Sequence, residues 1–139
     1  MEKFIWEDKY SVGIKIIDEQ HQHFFEIANE IFDLLNKKEV SGENIVTGVT
    51  NLGNYAFYHL STEEKYFKEF NYDGAGDHVQ VHDLFREKVS AFLDRIMDAK
   101  DNPEAIADEM AGFSENWLAH HILDTDRKYI QCFKDHGLS

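Results

Sequence analysis

The sequence predicts an all-α protein, an antiparallel up-down-up-down four-helix bundle with an N-terminal arm and a short C-terminal helix. Apolar residues recur at steps of three and four over four long segments, and no segment shows the sustained alternation of a β-strand. Short breakers separate these segments at 39–42, 71–76 and 101–103. Helices of roughly 20 residues joined by such short turns pack antiparallel to their neighbours along the chain.

The composition predicts one globular domain over residues 1–139, because 42% of the residues are hydrophobic and 14% are aromatic. The net charge of −13 argues against binding to nucleic acid or to anionic membranes. No apolar run is long enough to span a bilayer, and the first residues lack the apolar core of a signal peptide. Cys132 is the single cysteine and has no partner for an internal disulfide, so we expect a reducing, cytoplasmic location.

The N-terminal arm, residues 1–17, is apolar but irregular, and we expect Phe4 and Trp6 to hold it across the outside of the bundle. The first helix is predicted over 18–38, with Asp18 as its N-cap. His21 lies on its apolar face, whereas His23, two residues later, points to solvent.

The second helix is predicted over 43–70, with Ser41 as its N-cap. His59 and Glu63 are four residues apart, so they lie on one helix face, and that face is the apolar stripe. The third helix is predicted over 77–100, and His78 and His82 begin its apolar stripe in the same way.

The fourth helix is predicted over 103–126, with Pro103 in its first turn, and a short C-terminal helix follows over 127–136. His120 and His121 lie about equally far from the apolar stripe of the fourth helix, so periodicity leaves both open. Asp124 is in phase with this stripe and Asp126 is not, so periodicity alone favours Asp124.

The predicted topology brings the ionisable side chains of these stripes to one end of the bundle. They lie where the first and third helices begin and where the second and fourth end: His21, His59, Glu63, His78, His82, one of His120 and His121, and one of Asp124 and Asp126. A single pair such as His59 and Glu63 is explained more simply as a buried hydrogen-bonded couple. The whole set predicts a metal site for iron, manganese or zinc, and its size favours two metals bridged by carboxylates over one.

Five segments carry a resemblance to a known family, and together they extend over essentially the whole chain. They are Trp6–Gly13, Asp18–His21, His59–Glu64, His78–His82 and Trp117–Tyr129. In these segments the sequence resembles the hemerythrin family in its single-domain bacterial form. On the fourth helix the family pattern selects His121 and Asp126, and it requires the helix to break or kink between them.

The resemblance implies two iron ions that share an oxo or hydroxo bridge. One iron would take His78, His82 and His121, and the other would take His21 and His59. Glu63 and Asp126 would bridge the two irons. The implied function is reversible O2 binding for carriage, storage or delivery to an oxygen-using enzyme, and not catalysis.

The resemblance also implies a set of residues beside the ligands that line an oxygen pocket: Phe24, Leu60, Trp117, Leu118 and Ile122. Each is equally well explained as ordinary core when taken singly. Leu60 departs from the phenylalanine that is common in the family, and Phe24 is bulkier than the usual leucine. Two alternatives remain open, an oxygen or redox sensing module and a di-iron enzyme acting on peroxide or nitric oxide.

Overall fold

The computed structural model describes residues 3–37, 39–98 and 102–139. In these ranges the long helices are α1 (Lys15–Leu35), α2 (Gly42–Glu69), α3 (Ala75–Met97) and α4 (Pro103–Leu123), followed by the short α5 (Ile130–Asp135). Two 3₁₀ turns lie at Asp8–Tyr10 and Asp126–Tyr129, and the described ranges contain no β-strand. Each long helix packs against its neighbours along the chain, and α1 also packs against α4. The predicted four-helix bundle is therefore confirmed.

The start of α1 corrects the prediction of Asp18 as its N-cap. The helix begins three residues earlier, at Lys15, and Ile14 occupies the cap position without a side-chain hydrogen bond. The Asp18 carboxylate instead accepts hydrogen bonds from the Ser11 hydroxyl at 2.5 Å and the Val12 N–H at 2.8 Å. Asp18 therefore fixes the arm to the helix, and Gly13 makes this turn with φ of 72°, a region that glycine enters without strain. The helix ends at Leu35, and the predicted end at residue 38 lies outside the described residues.

The other boundaries agree with the sequence only in part. Ser41 caps α2 as predicted, since its side chain accepts from the Asn44 N–H at 3.1 Å. The start of α3 lies two residues before the predicted residue 77, and the predicted end at residue 100 lies outside the described residues. The predicted end of the fourth helix at 126 is wrong, because α4 stops at Leu123. The predicted C-terminal helix over 127–136 is a 3₁₀ turn that leads into α5.

The N-terminal arm packs on α1 as predicted. The Phe4 ring stacks on Phe25 with the ring centroids 3.8 Å apart, and Trp6 lies beside the same ring. The Asn29 side chain accepts from the Phe4 N–H at 3.0 Å and donates to the Phe4 carbonyl at 2.9 Å. These contacts place Tyr10 in the hydrophobic core.

Gly53, a poor helix former in the middle of α2, has a packing role. A Cβ atom at this position would lie 3.1 Å from a methyl group of Leu93 on α3, which is tighter than ordinary contact. Glycine therefore allows α2 and α3 to pack closely together at this position. None of the helices in the described ranges is long and apolar enough to cross a membrane.

Candidate metal centre

The structure brings seven of the predicted ionisable side chains together at the end of the bundle where α1 and α3 begin. Each of the seven side chains is buried: His21, His59, Glu63, His78, His82, His121 and Asp126. The two competing residues of the fourth helix, His120 and Asp124, are exposed. The His120 ring is turned back along the helix, with Nδ1 2.7 Å from the Asn116 carbonyl.

These side chains form two groups that share Glu63, and each group could hold a metal ion. The larger contains three histidines and two carboxylates: Glu63, His78, His82, His121 and Asp126. The smaller contains His21, His59 and Glu63. In each group the candidate ligand atoms lie within 4.8 Å of one another.

The histidines of the larger group have the spacing of metal ligands. The Nε2 atom of His121 lies 3.0 Å from Nε2 of His78 and 3.2 Å from Nε2 of His82. A metal–nitrogen bond of about 2.1 Å with right angles between ligands places neighbouring nitrogens about 3.0 Å apart. Tetrahedral angles would place them about 3.4 Å apart at the same bond length. Both observed distances fall within this range, so the three nitrogens can bind one metal ion.

Each of the two carboxylates faces both groups. Asp126 Oδ1 lies 2.9 Å from Nε2 of His121 and 3.2 Å from Nε2 of His78, while its Oδ2 lies 3.3 Å from Nε2 of His21. Glu63 Oε1 lies 3.3 Å from Nε2 of His59 on its own helix and 3.4 Å from Nε2 of His82 on α3. Each carboxylate therefore lies close to histidines of both groups.

The electrostatics keep both carboxylates charged. Burial opposes their ionisation, yet the surrounding histidines hold the pKa values of Glu63 and Asp126 well below the usual range. Burial and the neighbouring His59 ring lower the pKa of His21. Burial also acts to lower the pKa of His82, but Glu63 and Glu64 outweigh it and raise the value to about 9. Metal binding requires the deprotonated Nε2 atom of His82, so metal uptake is expected to weaken as the pH falls.

Asp126 reaches the site because α4 ends before it. Asp124 takes the C-cap position, with its backbone N–H donating to the His120 carbonyl at 3.1 Å. The chain then turns into the 3₁₀ segment, and Asp126 is fully buried. The phase argument that favours Asp124 is therefore wrong, because it assumes a helix that continues through residue 126. The break that the family pattern requires is present.

We did not predict from the sequence which side chains contact the Nδ1 atoms of His59 and His82. The Gln20 side-chain carbonyl lies 2.8 Å from Nδ1 of His59, and the Glu64 carboxylate lies 2.7 Å from Nδ1 of His82. Gln20 directly precedes His21 and Glu64 directly follows Glu63 in the sequence. That adjacency to predicted ligands is the signal that could have found them.

The residues predicted to line an oxygen pocket lie at the same end of the bundle. Phe24, Leu60, Leu118 and Ile122 are fully buried. Trp117 is partly buried, and its ring stacks on His121 with the centroids 4.3 Å apart. Apolar and aromatic side chains thus lie beside the ligands, and the lining of an oxygen pocket stays a prediction.

Glu115 is a buried acid on α4 that the sequence analysis also missed. It is 5% exposed, one of its oxygens has no hydrogen-bond partner among the described residues, and burial raises its pKa to about 8. Its neighbour Ser114 is buried as well. Burial therefore favours the neutral, protonated form of Glu115 near pH 7.

Replacing Glu115 by glutamine is expected to remove one component of the pH dependence of stability. The folded protein keeps a proton on Glu115 that the unfolded chain loses above about pH 4.5, so the wild type loses stability as the pH rises to about 8. The stability gain of Glu115→Gln over wild type should therefore grow across this interval in urea denaturation at equal metal content. The exposed Glu87→Gln is the control. A gain that does not change with pH would contradict the prediction.

Comparison with known proteins identifies a family match over most of the chain. The family described as "Hemerythrin HHE cation binding domain" matches residues 12–133. A bacteriohemerythrin of Clostridium acetobutylicum is 34% identical over 129 residues, which cover 91% of this chain and 98% of that protein. A bacteriohemerythrin of Pseudomonas aeruginosa is 29% identical over 139 residues, all of this chain and 86% of that protein.

Solved structures show the same fold. A wild-type hemerythrin crystal structure superposes with a TM-score of 0.84 and covers 94% of this chain and 98% of its own, at 19% identity. At that identity the likeness concerns the fold alone. The family match and the bacterial relatives add the sequence evidence.

Proposed function

The chain belongs to the hemerythrin family, and on that premise we propose that it binds O2 reversibly at a di-iron centre. The observation that carries the proposal is the pair of buried ligand groups joined by two carboxylates. One group offers three histidines and the other offers two, so the second metal would keep a coordination position free. When bound, the two irons would supply the electrons needed for O2 binding and the free coordination position at which O2 binds.

Each iron would have its own set of histidines. His78, His82 and His121 would hold one ion, and His21 and His59 would hold the other. Glu63 and Asp126 would bridge the two, together with an oxo or hydroxo group. The geometry supports the bridging role, because each carboxylate lies within 3.4 Å of histidine nitrogens from both sets.

The donor set favours oxygen carriage over oxygenase chemistry. Ferritin-like di-iron proteins use four glutamates and two histidines, whereas this site offers two carboxylates and five histidines. Fewer anionic ligands give less stabilisation to highly oxidised iron. We therefore infer a carrier, a store or a donor of O2 to an oxygen-using enzyme, and not an enzyme in its own right.

An apolar wall formed by Phe24, Leu60 and Leu118 would protect the bound O2. Phe24, Leu60 and Leu118 are each fully buried and have no polar atom in the side chain. Such a wall restricts the access of water and protons, which would otherwise promote loss of electrons from the irons. Exclusion of water is thus the contribution of these side chains to reversibility.

An oxygen titration of the ferrous protein tests the proposal. The iron-loaded protein is titrated anaerobically with O2 while the visible absorption and the free O2 are followed. We expect saturation at one O2 per chain and per two irons, with recovery of the ferrous spectrum under argon. Uptake with no saturating stoichiometry, or none at all, would refute oxygen binding at this centre.

Leu60→Asn is expected to speed the loss of oxygen-binding capacity without removing iron. An amide in the apolar wall would admit water to the centre, and a buried polar group without a partner costs roughly 1–3 kcal/mol of stability. Overnight spectra of the oxygenated protein should show faster conversion to the ferric form than in wild type. Leu84→Asn, the same change at a position that is 64% exposed, should behave as wild type. Equal decay rates for Leu60→Asn and wild type would contradict a protective role for Leu60.

A further inference from the structure

The outer nitrogen of His82 is bonded to a charged pair that reaches the surface. Oε2 of Glu64 lies 2.7 Å from Nδ1 of His82 and 2.8 Å from a guanidinium nitrogen of Arg86. The His82 side chain is fully buried, whereas the side chains of Glu64 and Arg86 are 23% and 24% exposed. Arg86 also donates to Asp83 at 2.9 Å. One carboxylate oxygen thus joins a buried ring to a half-buried cation.

The outer nitrogen of His59 has a neutral partner instead. Its Nδ1 lies 2.8 Å from the side-chain oxygen of Gln20. The amide nitrogen of Gln20 donates to the Thr62 hydroxyl at 3.3 Å, and that hydroxyl donates to the Tyr58 carbonyl at 3.0 Å. Because this chain of donors fixes the direction of the amide, the oxygen of Gln20 must face His59.

Both partners set the same tautomer, but they differ in charge. A carboxylate oxygen and an amide oxygen only accept hydrogen bonds, so Nδ1 carries the proton whenever the ring of His59 or His82 is neutral, as it is when Nε2 binds a metal. Nε2 of each neutral ring therefore presents its lone pair to the centre. A carboxylate partner makes a metal-bound imidazole more basic than a neutral partner does. The two rings are consequently unequal donors.

We propose that Glu64 is a positioning residue that orients the His82 ring and, through its negative charge, makes this ring a stronger electron donor to the metal. Arg86 partly neutralises the charge of Glu64 and so weakens this effect. The two halves of the centre would then differ electronically, with the His82 side favouring the oxidised metal more strongly than the His59 side. The identity of the metal rests on the function proposed above. The difference in donor strength between the two rings rests on the hydrogen-bond partners of His59 and His82 and not on which metal is bound.

Opposite shifts from two substitutions test the proposal. Glu64→Gln keeps an oxygen acceptor in place for His82 and Arg86 but removes the negative charge, so it should favour the ferrous state. Arg86→Gln leaves the Glu64 charge unbalanced, so it should favour the ferric state. The measurement is the midpoint potential of the iron-loaded proteins. We expect about a tenfold change in the ferric-to-ferrous equilibrium for Glu64→Gln, which equals about 59 mV for one electron.

A control and a second measurement separate this effect from loosened structure. Asp83→Asn removes the negative charge of the other partner of Arg86 at a residue that does not contact the His82 ring, and it should shift the potential less than Glu64→Gln does. The apparent dissociation constant for Fe(II) should rise about 10-fold in Glu64→Ala, which loses the acceptor altogether, and less in Glu64→Gln. A merely structural role would leave the potential of Glu64→Gln unchanged.

The outcomes distinguish this proposal from the function on which it rests. Potentials that move in opposite directions for Glu64→Gln and Arg86→Gln support the role of Glu64 even if O2 binding is not reversible. Potentials that stay at the wild-type value, or that move in the same direction, overturn it. They do so even if the wild type binds one O2 per two irons.

Discussion

Replacing Asp126 by alanine is expected to abolish the proposed two-metal centre. Asp126 is the carboxylate that lies within 3.3 Å of histidines from both groups, through Oδ1 for His78 and His121 and through Oδ2 for His21. Without it the two ions lose a shared ligand, and the buried histidines lose a negative charge that balances the metal. Iron should fall from two per chain to one or fewer, and the visible absorption of the oxidised pair should disappear.

The matched control is Asp124→Ala, two residues earlier. Asp124 is exposed at the end of α4, so its removal should leave the iron content and the spectrum as in wild type. The thermal midpoint should separate the variants as well, because a ligand present at 100 times its dissociation constant stabilises the folded state by about 2.7 kcal/mol. Loss of the centre in Asp124→Ala with retention in Asp126→Ala would show that the phase of the helix had selected the correct aspartate.

Replacing His59 by alanine is expected to empty one half of the centre. The smaller ligand group consists of His21, His59 and Glu63, so the loss of His59 leaves a single histidine and a shared carboxylate. We therefore expect close to one iron per chain by elemental analysis, and no O2 uptake. The larger group keeps all three of its histidines, so the remaining ion should stay bound.

His23→Ala is the control for this substitution. His23 is exposed on α1, where its ring contacts Glu26 at 3.2 Å, so two irons should remain. Retention of two irons in His59→Ala would contradict the assignment of His59. Zinc in place of iron in the wild-type protein would overturn the di-iron centre as a whole.

The fold could be predicted from the sequence because periodicity and short breakers determine a bundle almost completely. The errors lie at helix ends, where a distant group competes for a capping residue. Asp18 has the chemistry of an N-cap, but Ser11 and Val12 from the arm occupy its carboxylate and the helix starts earlier. Sequence spacing does not reveal such a contact.

In the fourth helix, periodicity does not predict which aspartate is buried. It assigns Asp124 to the buried stripe on the assumption of about 100° per residue, but α4 ends at Leu123 and the next turn is 3₁₀. Only the resemblance to the hemerythrin family selects Asp126 in advance. The helix break that brings Asp126 into the site is thus a feature of the family pattern and not of helical phase.

Adjacency to the predicted ligands marks Gln20 and Glu64 as candidates, but the histidine that each of them contacts could not be predicted, because the pairing depends on packing between helices. Gln20 on α1 meets His59 on α2 across 39 positions of sequence, and Glu64 on α2 meets His82 on α3 across 18. Both residues are ordinary polar side chains in a chain that is 29% charged. Their role emerges only when the helices are placed side by side.

Repeated oxygenation of the ferrous, iron-loaded protein tests directly whether it binds O2 reversibly. The protein is cycled between air and argon without added reductant while its visible spectrum is recorded. We expect the oxygenated spectrum to appear in air and to disappear under argon over several cycles, with both irons retained. Conversion to a ferric spectrum in the first cycle, with continuous consumption of O2 once a reductant is supplied, would contradict reversible binding and indicate a di-iron enzyme.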